Sequence, residues 1–162
     1  MALDTEMITT AEIKEIAIVN SNLDVAYLDQ YIIYSQRKYI RAFLGNDFYE
    51  ELLDEIENAT LTTDNTNILV YVKNALAHYI VYESLPQVRN QIAKGGVFNN
   101  LNATSEPATD LSYGNSRSDY LAKGENYREE IDFYIRDVRN DTSTAYPLYC
   151  GKSEQSGGII LY

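Results

Sequence analysis

The sequence predicts a mainly α protein, a small bundle of about four helices with a long loop and extended N- and C-terminal arms. Three observations predict this class. Apolar residues recur every three to four positions over several long segments, which is the spacing of one helix face. Glycine, asparagine and aspartate separate those segments, as they do at helix ends. The chain has 162 residues, 45% of them hydrophobic, so one domain with a buried core is expected.

The N-terminal half contains two predicted helices that are separated by a glycine. Residues 1–21 are predicted to be an arm, in which the β-branched stretch from Ile13 to Val19 is also compatible with a strand. Helical spacing of apolar residues predicts a first helix over residues 24–43, and Gly45 ends it. A second helix over residues 47–57 has one apolar face and one acidic face, which is typical of a helix at a solvated surface.

Two longer helices are predicted to form the centre of the bundle. The segment that begins at Ile68 is apolar on several faces, so it is predicted to be the most buried helix. Pro86 lacks a backbone N–H group and is predicted to kink or end that helix, with a shorter helical piece over residues 87–93 beyond it. A long loop over residues 97–115 follows, rich in Asn, Ser, Thr and Gly. The last helix is predicted to begin at Ser116 or Ser118.

Beyond a helical domain at residues 22–149, residues 150–162 are predicted to be an extended tail with an apolar end. A strand that docks on another chain and a strand that pairs within its own domain fit this tail equally well. The residues predicted to contact other proteins lie in the long loop, at the end of the helical domain and in the tail. They are Val97, Phe98, Leu101, Leu111, Tyr113, Tyr146, Tyr149, Ile159, Ile160, Leu161 and Tyr162.

Composition argues against several classes of function. The net charge of -11 opposes binding to nucleic-acid phosphates. No membrane-spanning stretch and no signal-peptide pattern is found, so a cytoplasmic site of synthesis is expected. One cysteine, Cys150, and one histidine, His78, are too few for a zinc site. The sequence therefore predicts no catalytic centre, metal, cofactor or small-molecule substrate. Its 15 tyrosines and absence of tryptophan fit either a protein-binding surface or half-buried helix faces.

Four segments in succession resemble the head-to-tail connector, or adaptor, proteins of tailed bacteriophages. They are YIRAFLGNDFYEELLDEI (39–56), ILVYVKNALAHYIVYESLPQV (68–88), KGGVF (94–98) and RNDTSTAYPLY (139–149). The resemblance covers residues 24–149, and FLGNDFYEEL matches best. It implies a helical virion subunit without enzyme activity, assembled in the host cytoplasm into a ring of about twelve copies at the head–tail junction.

The resemblance also implies partners. A connector ring lies below the portal, extends the DNA channel, and contacts the portal and the tail or a second ring; the loop 97–115 and the tail 151–162 are the expected contacts. A negative channel wall repels phosphate, so DNA slides without specific binding. The acidic residues that are candidates to face such a channel are Glu50, Glu51, Asp54 and Glu55. An outward, solvated helix face is the simpler explanation of that charge.

Three other functions are compatible with the sequence. One is another structural part of a phage, such as a tail terminator, although terminators usually have a β-rich core. A second is a cellular adaptor or regulatory module that binds one protein partner through its tyrosines. The third is an enzyme, which would require His78 to lie beside two or more carboxylates in an open pocket.

Overall fold

The computed structural model describes residues 5–17, 25–92, 98–99, 106–107 and 110–150, with side chains outside the description over residues 89–112. Over these ranges the chain is mainly helical, as the sequence predicts. None of the described helices combines the length and apolar character that a membrane span requires. The elements in order are α1 Thr10–Ile16, α2 Ala26–Ser35, a π-helical segment Gln36–Arg41, α3 Ala42–Leu44, α4 Asn46–Glu57, α5 Thr63–Ile92, β1 Phe98–Asn99, β2 Glu106–Pro107 and α6 Asp110–Asp141.

The core is organised around α5, which contacts α1, α2 and the π-helical segment and has its most extensive contact with α6. Helices α5 and α6 run antiparallel. Near one end of the pair the rings of Tyr71 and Tyr134 stack with centroids 4.6 Å apart. Near the other end the guanidinium of Arg117 lies 4.2 Å from the ring centroid of Tyr82. Helix α5 supplies nine of the 27 buried core residues of the described chain, more than any other element, which confirms it as the central and most buried helix.

The close approach of α5 and α6 depends on a glycine. A Cβ atom at Gly124 of α6 would lie 2.9 Å from ring carbons of Tyr79 on α5. Tyr79 is fully buried and stacks on Tyr39, with ring centroids 4.0 Å apart, so its ring has little room to move. A second glycine, Gly45, has φ of +86° and ends α3 before α4 begins, as the sequence predicts.

The predicted N-terminal arm is corrected over residues 10–16, which form a helix and not an extended segment. Thr9 and Glu12 form a capping box at its start, and Ile13 is fully buried. The ammonium of Lys73 on α5 lies 2.6 Å from a Glu12 carboxylate oxygen. Burial raises the pKa of Glu12, but hydrogen bonds from Lys73 and Thr9 outweigh it and leave the pKa below its usual value. Capping and docking on α5 therefore overcome the β propensity of this stretch.

The region after α3 and before α5 follows the prediction, and so does the helical conformation beyond Pro86, but the start of α6 does not. Helix α5 continues through Pro86 to Ile92 and is not ended by it. The missing N–H group of proline costs a helix about 3 kcal/mol, which the packing of α5 between α2 and α6 offsets. Helix α6 begins at Asp110, so the second part of the predicted loop 97–115 is helical, and Ser116 and Ser118 are not its caps.

Part of the remaining loop forms a minimal antiparallel pair. Phe98 pairs with Pro107, and Asn99 pairs with Glu106. A tertiary contact supports the early turns of α6, where the Arg117 guanidinium lies over the ring of Tyr82 on α5. The glycine, asparagine and serine residues there disfavour a helix by up to about 1 kcal/mol each, which contact with α5 outweighs.

Candidate interaction surfaces

The side of α6 that bears Asp132 and Arg139 is closed by residues 142–150, here called the clasp. The guanidinium of Arg139 donates to three backbone carbonyls of the clasp. Its Nε lies 3.1 Å from the oxygen of Ala145, and its Nη2 lies 2.6 Å from the oxygens of Tyr146 and Tyr149. One charged side chain thus gathers the carbonyl groups that follow the end of α6, and charged donors form the stronger hydrogen bonds.

Tyr146 and Tyr149 belong to the clasp and are buried against the rest of the bundle. This corrects the prediction that they contact other proteins. The Tyr146 hydroxyl donates to the Asp64 carbonyl at 2.7 Å, and the Tyr149 hydroxyl donates to Asp132 Oδ1 at 2.9 Å. Both rings lie against Phe48. Burial raises the pKa of each phenol, so both remain neutral donors. The two residues between them, Pro147 and Leu148, are exposed, Leu148 at 39%.

The seam between α5, α6 and the π-helical segment is also rich in tyrosine. The Tyr79 hydroxyl donates to Glu125 Oε1 at 2.9 Å, and the Tyr39 hydroxyl donates to Glu83. Lys38 forms an ion pair with the same Glu83 carboxylate, with 2.6 Å between Nζ and Oε1. These tyrosines act as core residues whose hydroxyls are satisfied, and burial raises the pKa of both phenols. Part of the tyrosine excess therefore serves the fold.

The opposite side of α6 is open and forms a surface groove with two cavities. The larger cavity, about 570 Å³, lies between Ile16 and Ala17 of α1, His78 of α5, and a set of α6 residues. These α6 residues are Tyr120, Lys123, Asn126, Tyr127 and Glu130. The smaller cavity, about 410 Å³, is lined by Tyr71, Glu130, Phe133, Tyr134 and Asp137. Because Glu130 lines both cavities, they form one continuous surface, here called the groove.

His78 is buried at the base of the larger cavity, as expected for a hydrogen-bonded core histidine. Its Nδ1 lies 2.8 Å from the Asn74 carbonyl oxygen, and its ring lies 5.1 Å from that of Tyr127. Burial lowers the pKa of the imidazole, opposed by the hydrogen bond to Asn74 and assisted by Lys123. Glu130 is the one carboxylate in the lining of this cavity, whereas the enzyme interpretation requires two or more.

The smaller cavity presents the most exposed large apolar side chain of the described chain. Phe133 is 67% exposed, and Val70, next to Tyr71 on α5, is 58% exposed. Within the described ranges, neither Glu130 nor Asp137 forms an ion pair, whereas the nearby Arg136 is paired with Asp132 at 2.8 Å. The smaller cavity, here called the lower groove, therefore combines aromatic walls with two carboxylates that have no ion-pair partner in the described residues.

The acidic residues predicted to face a DNA channel lie on the outer side of α4, opposite its buried stripe. Asp54 is exposed, and Glu50, Glu51 and Glu55 are half-buried. Glu55 has a structural contact, because its Oε2 accepts from the Thr62 N–H at 3.0 Å and so ties α4 to the start of α5. The placement is compatible with a channel wall and equally with a solvated surface.

Several predicted contact residues lie outside the described part of the chain. Phe98 lies in β1 and Leu111 in α6, but their side chains are outside the description; Tyr113 is half-buried beside Arg117 in a cavity of about 480 Å³. In the described ranges, no three His, Cys, Asp or Glu side chains come together as a possible metal site. The residues wholly outside the description are Val97, Leu101, Ile159, Ile160, Leu161 and Tyr162.

Comparison with known proteins identifies a family. Residues 40–158 match the family of unknown function DUF6712, and the chain belongs to that family. No curated protein and no solved structure matches the chain.

Proposed function

We propose that this member of the DUF6712 family is a structural subunit of a tailed-phage virion, which forms a ring at the head–tail junction. The ring would comprise about twelve copies related by cyclic symmetry. It would lie below the portal, join it to tail or second-ring proteins, and extend the DNA channel. In this role the protein needs no cofactor and no catalytic residue, because its work is done by contact surfaces.

The observation that carries the proposal is the order of the helices. The segment 39–56, which resembles a connector, spans α3, the turn at Gly45 and most of α4. The segment 68–88 lies in α5, and the segment 139–149 comprises the end of α6 and the clasp.

The surfaces also suit a protein that assembles with others. The groove exposes aromatic side chains beside charged ones, a composition typical of protein interfaces.

The first test is electron microscopy of the purified protein, alone and mixed with the portal ring from the same virus. We expect rings stacked on one end of the portal, from which the copy number can be counted. A portal from an unrelated phage is the control for non-specific association. Monomers that ignore the matching portal would contradict the connector proposal and favour a cellular adaptor that binds a single partner.

The acidic face of α4 allows a separate test of the DNA channel. The variant combines Glu50→Gln, Glu51→Gln and Asp54→Asn, and keeps Glu55 because it holds the start of α5. We expect normal rings but reduced genome delivery, because a less negative wall retains DNA phosphates more strongly. The control removes three exposed charges elsewhere, through Glu15→Gln, Asp119→Asn and Asp141→Asn. Equal infectivity of the two variants and the unchanged protein would show that this face does not line the channel.

A further inference from the structure

We propose that the lower groove of one copy receives the exposed surface around Tyr34, Lys38 and Arg41 of the next copy. This inference deepens the proposed function and rests on it, since it names the surfaces through which copies of the chain associate. The lower groove supplies aromatic walls and two carboxylates. The surface that it receives, here called the basic knob, supplies the exposed ring of Tyr34 and the cation of Arg41, since Lys38 is paired with Glu83.

The groove is a preformed site on the surface of α5 and α6. Its floor is the stacked pair Tyr71 and Tyr134, with ring centroids 4.6 Å apart, and its rim carries Phe133. Burial of such aromatic side chains dominates the energetics of interfaces. Glu130 and Asp137 flank the aromatic surface without an ion pair in the described part of the chain. A partner surface that complements this groove would therefore present a cation next to an apolar or aromatic group.

The basic knob has that chemistry. Tyr34 is 49% exposed, and the Lys38 ammonium lies 5.2 Å from the centroid of its ring. Arg41 is also exposed and begins the last turn before Gly45. No Asp or Glu occurs from residue 30 to residue 46, although the whole chain has 24 acidic residues against 13 basic ones. Since copies of so acidic a chain repel each other, this basic region is the surface best able to meet the carboxylates of another copy.

The two surfaces lie on different sides of the molecule. Lys38 and Tyr39 contact Glu83 of α5, whereas His78 of α5 faces the groove. Five residues separate His78 from Glu83, and at about 100° per residue they point roughly 140° apart around α5. The basic knob therefore cannot reach the groove of its own chain. A contact between two different surfaces of identical chains is heterologous, and it closes into a ring when the rotation between copies permits.

Crosslinking tests the pairing directly. In a Cys150→Ser background, Tyr34→Cys and Phe133→Cys are made as separate proteins, mixed, assembled on the matching portal, and treated with a short bismaleimide. We expect crosslinked dimers that contain one chain of each variant. The control pairs Tyr34→Cys with Asp119→Cys, which lies on exposed α6 surface away from the lower groove, and should give few dimers.

Charge reversal tests the electrostatic part in the same assemblies. Arg41→Glu alone, and Glu130→Lys with Asp137→Lys alone, should each weaken association by about tenfold or more. A ring that combines all three substitutions in every chain should recover most of that loss. Lys38 is left unchanged because its ion pair with Glu83 belongs to the fold.

The outcomes separate the two proposals. Rings on the portal without the crosslink between positions 34 and 133, or with no effect of charge reversal, would overturn this interface and leave the connector function standing. Crosslinks mainly between two Tyr34→Cys chains would also overturn it, because they would indicate an isologous contact. Absence of any assembly, with or without the portal, would overturn both the interface and the connector function.

Discussion

The two sides of α6 use the same kinds of side chain for different purposes. On the clasp side, Tyr149 donates its hydroxyl to Asp132, and Arg139 binds three carbonyls. On the groove side, Phe133 is 67% exposed and Glu130 forms no ion pair within the described chain. Successive residues are about 100° apart, so Asp132 and Glu130 point to nearly opposite sides.

The difference shows how burial decides what a tyrosine-rich sequence does. A buried phenol stabilises a fold when its hydroxyl has a partner, because an unpaired buried polar group costs about 1–3 kcal/mol. The clasp and the seam at Tyr79 meet this condition at each phenol described. The groove leaves aromatic and acidic side chains together at the surface, where they remain available to a neighbour.

The largest effect is expected from a substitution that disrupts the packing of α5 against α6, on which both the clasp side and the groove side of α6 depend. Gly124→Val would put a branched side chain into the ring of Tyr79, which is fully buried and cannot withdraw. We expect a loss of about 3 kcal/mol in the free energy of unfolding, measured by urea denaturation. Gly114→Val is the control, because a Cβ there meets nothing within 4 Å, and its effect should stay within about 0.5 kcal/mol. Equal effects of the two substitutions would contradict the close packing at Gly124.

A smaller effect is expected from a substitution that opens the clasp and leaves the groove intact. Arg139→Gln removes the charged donors to Ala145, Tyr146 and Tyr149, and should lower the free energy of unfolding by about 2 kcal/mol. Arg136→Gln is the matched control. It removes one ion pair of a side chain that is 63% exposed, and should cost less than about 0.5 kcal/mol. A clasp that stays closed in Arg139→Gln, as judged by unchanged proteolysis after residue 142, would contradict this role of Arg139.

The smallest expected effect is a change of stability with pH that arises from His78, on the groove side of the molecule. Burial lowers the pKa of His78 below its ordinary value of 6.5, so the unfolded chain binds the proton more readily than the folded chain. Stability should therefore fall as the pH drops below about 6.5, towards the lower pKa of the folded state. His78→Gln should reduce the decline in stability between pH 7.5 and pH 5.5, measured by urea denaturation at each pH. An identical decline in the variant and the unchanged protein would exclude His78 as its source.

Much of the fold could be predicted from residues close together in the chain. The apolar stripes of α4 and α5 and the break at Gly45 follow from periodicity and backbone preference, and the structure confirms them. Helix α1 also had a local signal, the capping pair Thr9 and Glu12, which the β-branched residues after it obscured.

The candidate site was less predictable. Tyr146 and Tyr149 suggested an exposed contact because no local pattern shows that Arg139 draws their carbonyls towards α6. The exposed Phe133 could not be predicted as a contact residue for the converse reason. Phe133 lines a groove only because Tyr71 packs beside it, and Tyr71 lies 62 residues earlier in the sequence.

The sequence by itself determined the helical class, the central position of α5 and the acidic outer face of α4, because spacing and charge along a chain act locally. Tertiary structure alone decided that α6 begins at Asp110 and which aromatic residues are buried. These outcomes depend on contacts between distant segments. Packing energy gained there exceeds the preference of about 1–3 kcal/mol that a single residue expresses on its own.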